Sequence, residues 1–282
     1  MSAHKPEDKF ALLLMPYFGN WPEWIDAYFE TCRWNQEIDY LFFTDCDQPK
    51  NPLPSNVSLV TMTLSQFNDL YTARFPSRRR VENPYKICDL RPAYGVIFSE
   101  SVVDYEFFGW GDIDVVYGDV AAYLTPEMLS ADIISFNRAH ISGHLTLART
   151  SCADRLVGSF PNWPQRVDDR DYQHLDEPEY LEGLTLSAVE SFNTPLSPRT
   201  PWTDGRFVFP TEWYWRAGQL TNDLDRGRTF PYLHFMHWKG GDWPRRCGNA
   251  HWERQDSVMH IGKTDIAHGF RINSRGFFSL QS

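Results

Sequence analysis

The sequence predicts an α/β protein with a mostly parallel central sheet flanked by helices, and two patterns carry that expectation. Over the first 120 residues, continuous apolar runs of the kind that buried parallel strands show alternate with stretches of helical periodicity. Carboxylates follow two of those runs, Asp45 after one and the pair Asp112 and Asp114 after another. Open α/β sheets bind ligands at the carboxyl ends of their strands.

Phe10 to Met15 (FALLLM) reads as the first strand and PYFGN as the loop after it. A helix follows, with Trp24, Tyr28 and Cys32 at i, i+4 and i+8. Asn20 is placed to cap it and Pro22 to sit in its first turn. Ile38 to Asp45 is a second strand and Val57 to Met62 a third. Ser65 is placed to cap a helix whose Phe67, Leu70 and Tyr71 face inward. Asn83 to Phe98 reads as helical with a break near Pro92, and the run from Tyr105 leads into Asp112.

The second half is less regular. TPEML suggests a short helix with Thr125 as cap and Pro126 at its first position. DIISFN and HLTLAR suggest strands, a helix is expected from about Tyr180, and loops from Thr194 to Pro210. No repeat, low-complexity segment or linker is evident, so a single domain over residues 1–282 is expected, with halves 1–120 and 121–282.

A net charge of −10 and a sequence pI near 5.3 argue against a nucleic-acid partner, which needs a basic face. The one dense basic run, Arg78-Arg79-Arg80, reads as a solvated loop, with contact to anionic lipid or phosphate as the other reading. Five cysteines without a C-x-x-C indicate neither a disulfide framework nor structural zinc. The first residues lack an apolar core of signal-peptide type, and ALLLM is too short to span a bilayer. The expectation is a cytoplasmic protein with at most peripheral contact at the inner face of the membrane. Aromatic residues reach 16%, with 11 Trp, more than a core needs and suited to stacking on ring-shaped ligands. Trp202, Trp213, Trp215 and Trp243 are the candidates for such stacking, with core packing the alternative for each.

In an extended segment alternate side chains share a face, so Asp112 and Asp114 point the same way and Ile113 points into the core. Two like charges on one face stay ionised when a cation lies beside them. Mg²⁺ or Mn²⁺ suits hard oxygen ligands and keeps open positions for phosphates. Gly109, Gly111 and Gly118 leave room for a close approach by ligand or backbone. Asp119 reads as a capping acid. A solvated turn with acids at a strand end is the alternative for the pair.

The segments PYFGNWPEW (Pro16 to Trp24), NPYKICDLRPAYG (Asn83 to Gly95) and YEFFGWGDIDVVYGD together resemble bacterial GT-A nucleotide-sugar glycosyltransferase-like proteins. The resemblance covers roughly the first 150 residues, and its longer motifs are far more specific than D-x-D alone. It implies a GT-A, Rossmann-like fold with a nucleotide-binding half and a less regular acceptor-side, metal-closing half. It also implies a divalent cation, Mn²⁺ or Mg²⁺, a nucleoside-diphosphate sugar as donor with UDP favoured, and a glycan or glycolipid as acceptor. The implied setting is cell-surface polysaccharide synthesis.

By the same resemblance Tyr17, Phe18 and Gly19 border the base and ribose, and Asp45 accepts a hydrogen bond from the base. Lys86, Asp89 and Arg91 face the nucleotide sugar, with an ion pair as the alternative for the first two. Asn137, Ser142, Gly143 and His144 line the donor-sugar pocket. Asp176 and Glu177 bind sugar hydroxyls or assist the chemistry, with helix-start charges the alternative. HFMHWKGG (His234 to Gly241) is similar in kind to the His/Lys segment that closes retaining D-x-D enzymes, although its spacing differs. It points to His237 as a third metal ligand with His234 as runner-up, to Lys239 as a phosphate contact, and to a retaining reaction.

Two other classes stay open at this point. A metal-dependent phosphoesterase or nucleotidyltransferase also uses acids at strand ends. A non-catalytic carbohydrate-binding protein on the same scaffold suits the tryptophan content. A serine-hydrolase elbow, a P-loop and a Rossmann glycine fingerprint are all absent from the sequence.

Overall fold

The computed structural model describes residues 9–137, 140–178, 181–189, 210–225, 227–239, 252 and 257–280. The side chains of His237 and Lys239 lie outside what is described, as do Trp202, Trp243, Cys247 and the expected loop from Thr194 to Phe209.

The apolar runs form strands as expected. Strand β1 spans Lys9–Tyr17, β2 Ile38–Thr44, β3 Val57–Thr61 and β4 Tyr105–Gly111. Short strands follow: β5 Val115–Tyr117, β6 Ile133–Ser135, β7 Leu145–Arg149 and β8 Leu186–Ala188. Seven of these make one sheet in the order β3-β2-β1-β4-β7-β6-β8. Only β7 runs against its neighbours β4 and β6; the other six strands share one direction. The sheet is therefore mixed but mostly parallel, and the architecture is α/β and compatible with a Rossmann-like fold.

Alternation along β1 separates two cores. Leu12 and Leu14 face a layer that includes Phe67 and Tyr71 of helix α2 (Leu64–Arg74), Leu90 and Tyr94. Ala11, Leu13 and Met15 face Ile25, Tyr28 and Phe29 of helix α1 (Ile25–Cys32). A strand covered on both faces has to be apolar at every position, and this is why the run was readable.

A second sheet joins β9 (Glu212–Arg216), β10 (Gln219–Asn222), β12 (Phe270–Asn273) and β13 (Gly276–Ser279) in the order β10-β9-β12-β13. Trp213 and Trp215 are fully buried in its core rather than available for stacking on a ligand. Between the two sheets, β11 (Tyr232–His234) pairs antiparallel with β5, setting His234 opposite Val115.

Several local expectations are corrected. Asn20 does not cap α1: Trp24 precedes the helix without a side-chain cap, because a turn through Pro22 delays its start. Helix α2 is capped by Thr63, not Ser65, through a reciprocal capping box with Gln66. The helix expected from Tyr180 is replaced, within the described residues 181–189, by strand β8, whose Leu186 pairs with Ile133. The TPEML segment forms a single 3₁₀ turn, Met128–Ser130, with the Thr125 hydroxyl accepting from the Met128 amide at 3.4 Å. The arginine run is tied to acids: Arg78 bonds Asp168 at 3.0 Å and Arg80 bonds Asp69 at 2.6 Å. Asp119 accepts from the Ala122 amide at 3.0 Å, as a capping acid does. Cys32, Cys46, Cys88 and Cys152 are free thiols, and among the described residues no helix is long and apolar enough to cross a membrane.

Candidate functional site

Three elements converge at the carboxyl end of the parallel strands. The end of β1 and the residues after it supply Met15, Tyr17 and Phe18. The segment between β4 and β5 supplies Asp112, Ile113 and Asp114. The third is a 3₁₀ helix, Pro84–Ala93, continued by an α-helical turn, Tyr94–Ile97. Together they enclose a pocket of about 290 Å³.

The 3₁₀ form helps to set which residues face the pocket. With three residues per turn, side chains three apart eclipse one another. Tyr85, Cys88, Arg91 and Tyr94 line the pocket at that spacing, with Pro84 and Ile87 beside them, while Lys86 and Asp89 do not. Lys86 and Asp89 form a buried ion pair at 2.7 Å instead. The Lys86 ammonium also donates to the carbonyls of Arg166 and Asp171, and Asp89 accepts from the amides of Gln173 and Leu175. Both residues thereby hold the 166–175 segment against the helix and are not brought to the pocket.

The D-x-D segment is not one continuous strand. Pairing of β4 ends at Gly111 and β5 begins at Val115, so residues 112–114 form an irregular link. Ile113 is half-buried against the core on the α1 side, and its carbonyl accepts from the Trp24 indole at 2.9 Å. The two carboxylates still converge. Nε2 of His234 lies 3.4 Å from Oδ2 of Asp112 and 3.4 Å from Oδ2 of Asp114. The pairing of β11 with β5 makes this meeting, helped by the Phe235 amide, which donates to the Asp114 carbonyl at 3.1 Å. The ligand atoms of the three residues all lie within 4.8 Å of one another. Neighbouring ligands on one cation with bonds of about 2.1 Å sit about 3 Å apart, so two carboxylates and an imidazole at this spacing fit a divalent ion. His234, the runner-up of the sequence reading, occupies the third position; the His237 side chain is outside the described residues.

Arg91 organises the floor of the site. It donates to Asp112 Oδ1, to Asp176 Oδ2 at 2.7 Å and to the carbonyls of Gly143 at 2.8 Å and Gly111 at 3.3 Å. Burial alone would lower its pKa, but Asp112 and Asp176 hold it well above the usual value. Burial pushes the Asp176 carboxyl up to about 6, against the pull of Arg91 and of the Tyr172 hydroxyl, which donates to it at 2.6 Å. Burial likewise pushes the Cys88 thiol in the pocket wall up to about 12.

His144 backs the candidate cation site. Its ring stacks on His234 with centroids 4.4 Å apart, and its Nδ1 shares a short hydrogen bond with the Tyr232 hydroxyl. Burial and the neighbouring imidazole hold His144 well below the usual range, so it is neutral. Ser142 is fully buried, and its carbonyl accepts from Trp110 and Thr146. Asn137 lies beside His140 at 3.2 Å. Neither is among the residues that line the pocket. Gly143 is a place of close approach: a Cβ there would meet Glu177 Oε1 at 2.9 Å and Asp176 Oδ2 at 3.0 Å. The room at Gly109 and Gly118 is taken by the protein itself, by the Thr146 and Phe230 carbonyls. Asp45 accepts from the Gly19 amide at 2.8 Å, tying the end of β2 to the turn after β1, where Gly19 has φ +113. Tyr17 donates to the Asn20 carbonyl and stacks on Trp21.

Tyr85, Cys88, Tyr94, Tyr172 and Tyr232 were not singled out from the sequence. The first three stand inside the quoted NPYKICDLRPAYG segment, and only its 3₁₀ period would have marked them.

Fold and site together define an α/β protein with a ligand pocket and a candidate divalent-cation centre at the ends of its parallel strands. The chain belongs to the family of unknown function DUF6625, whose pattern matches residues 13–189. That span takes in the second half of β1, the 3₁₀ helix, Asp112 and Asp114, and stops short of His234. No curated protein matches it.

Proposed function

We propose that the protein is a metal-dependent glycosyltransferase of GT-A type, moving a sugar from a nucleoside-diphosphate sugar, with UDP favoured, to a hydroxyl of a glycan or glycolipid. The observation that carries this reading is the meeting of Asp112, Asp114 and His234 beside a pocket at the carboxyl ends of β1 and β4.

Asp112, Asp114 and His234 would hold the cation. When bound, a divalent ion neutralises the charge that gathers on a departing diphosphate. Arg91 keeps Asp112 turned toward His234 by holding its other oxygen. The aromatic and aliphatic walls from Leu14 to Phe18 and from Tyr85 to Tyr94 suit a flat base and exclude water from its faces. The Asp176 carboxylate is engaged by Arg91 and Tyr172. A retaining reaction is proposed from the likeness of HFMHWKGG to the His/Lys segment alone. Lys239 keeps its proposed role as a phosphate contact from the sequence pattern alone.

A thermal-shift screen of UDP-, GDP-, CMP- and dTDP-sugars, with and without Mn²⁺, tests the reading. One nucleotide class should raise the unfolding temperature only when Mn²⁺ is present. Equal shifts without the metal, or no shift with any of the four, would count against it.

A further inference from the structure

Tyr85 departs from the other tyrosines of the pocket. It is 62% exposed, whereas Tyr94 is buried. The chain nevertheless fixes the ring. Tyr85 follows Pro84 at the start of the 3₁₀ helix, and its amide donates to the Asn83 side chain at 3.0 Å. Its ring meets Tyr172 edge-on, with centroids 5.1 Å apart at 72°. Tyr172 is tethered in turn by its hydroxyl to Asp176, and the His174 ring lies 4.2 Å from it. His174 adopts φ +53, a left-handed conformation that side chains other than glycine rarely take and that marks a constrained position. Its Nδ1 lies 3.7 Å from Oε2 of Glu177, the carboxylate that closes over Gly143.

Tyr85 on the pocket wall is thus linked through Tyr172 to an imidazole and a carboxylate on the neighbouring segment, which Lys86 and Arg91 anchor. We propose that this rim is a saccharide subsite, in which a pyranose acceptor lays its C–H face on Tyr85 and is bound through its hydroxyls by Glu177 and His174. That the bound sugar is an acceptor rests on the glycosyltransferase reading; the binding itself does not.

The chemistry follows from the shape of the sugar. A pyranose presents an apolar face of C–H groups and a polar edge of adjacent hydroxyls. A fixed tyrosine offers rigid contact area to the face with little loss of conformational entropy. The two oxygens of a carboxylate accept from two neighbouring hydroxyls, and a few placed polar groups set orientation in such sites. The exposure of Tyr85 puts it at the mouth of the pocket, on the way to Asp112 and Asp114.

Saturation-transfer NMR with the full-length protein tests this without metal or nucleotide, using the methyl pyranosides of glucose, galactose, mannose and N-acetylglucosamine. At least one should show transfer concentrated on one ring face. Tyr85→Ala should weaken that binding about tenfold, Tyr85→Phe should keep it within about twofold, and Glu177→Gln should weaken it several-fold. No transfer to any pyranoside would overturn the proposal. So would a Tyr85→Ala variant that binds like wild type, or a Tyr85→Phe variant that loses binding as Tyr85→Ala does. Failure of the cation reading would leave these results unchanged, so the two ideas stand or fall separately.

Discussion

Arg91 and Asp112 are joined across the floor of the pocket: the guanidinium donates to one carboxylate oxygen, and the other oxygen lies 3.4 Å from Nε2 of His234. One arginine thereby couples the candidate cation centre to Asp176 on a distant segment. Its planar fork reaches both acids at once, which a lysine ammonium does not.

Arg91→Lys should therefore keep the charge and lose the geometry. Groups that orient a ligand residue alter metal affinity about 10–100-fold when removed, and calorimetric titration with Mn²⁺ should show a loss of that size. Arg91→Ala also strands two carboxylates and should cost about 3–5 kcal/mol in urea unfolding. Wild-type Mn²⁺ affinity in Arg91→Lys would mean that Asp112 needs no such partner.

The Lys86–Asp89 pair makes a different prediction. Both side chains are buried and each has further partners in the 166–175 segment. Asp89→Ala leaves an unpaired buried ammonium and should destabilise the fold by about 3–5 kcal/mol. The amides of Gln173 and Leu175 lose their acceptor, and hydrogen exchange at those two positions should rise well above that of β1. Unchanged protection there would show that the segment is held by other contacts.

Asp176 gives the pH dependence its sign. Its folded-state pKa of about 6 lies above the usual 3.8, so the folded protein binds the extra proton between those values. The stabilising contribution is full below about pH 4 and is lost as the pH rises through about 6. Relative to Asp176→Asn, the wild type should lose on the order of 3 kcal/mol across that window. Chemical unfolding of both proteins at a series of pH values checks this, and parallel curves would contradict it.

The strands around the site were legible because their signal is local. Leu12 to Leu14 and Phe107 to Phe108 are covered on both faces, so uninterrupted apolar runs mark them wherever the rest of the chain goes. Asp112 and Asp114 were legible for the same reason, as charges closing such a run. The choice between His234 and His237 was not local: it depends on β11 pairing with β5, which sets His234 opposite Val115. The helix at Pro84–Ala93 was anticipated, but a 3.6-residue period hides the face that Tyr85, Cys88 and Arg91 share. Trp213 and Trp215 suggested sugar stacking, yet their alternation was the mark of β9, a strand with one buried face. Leu184, Leu186 and Ala188 alternate in sequence where a helix was expected, but Leu186 is exposed, so pairing with β6 and not a buried face makes that stretch a strand.

The most direct test of the account is a calorimetric titration of Mn²⁺ with UDP into the full-length wild type, Asp112→Asn and Asp114→Asn. The account predicts saturable binding to the wild type and a loss of at least about 100-fold in each variant, with both variants still folded by circular dichroism. Wild-type affinity in either folded variant would contradict the assignment of these carboxylates to a cation.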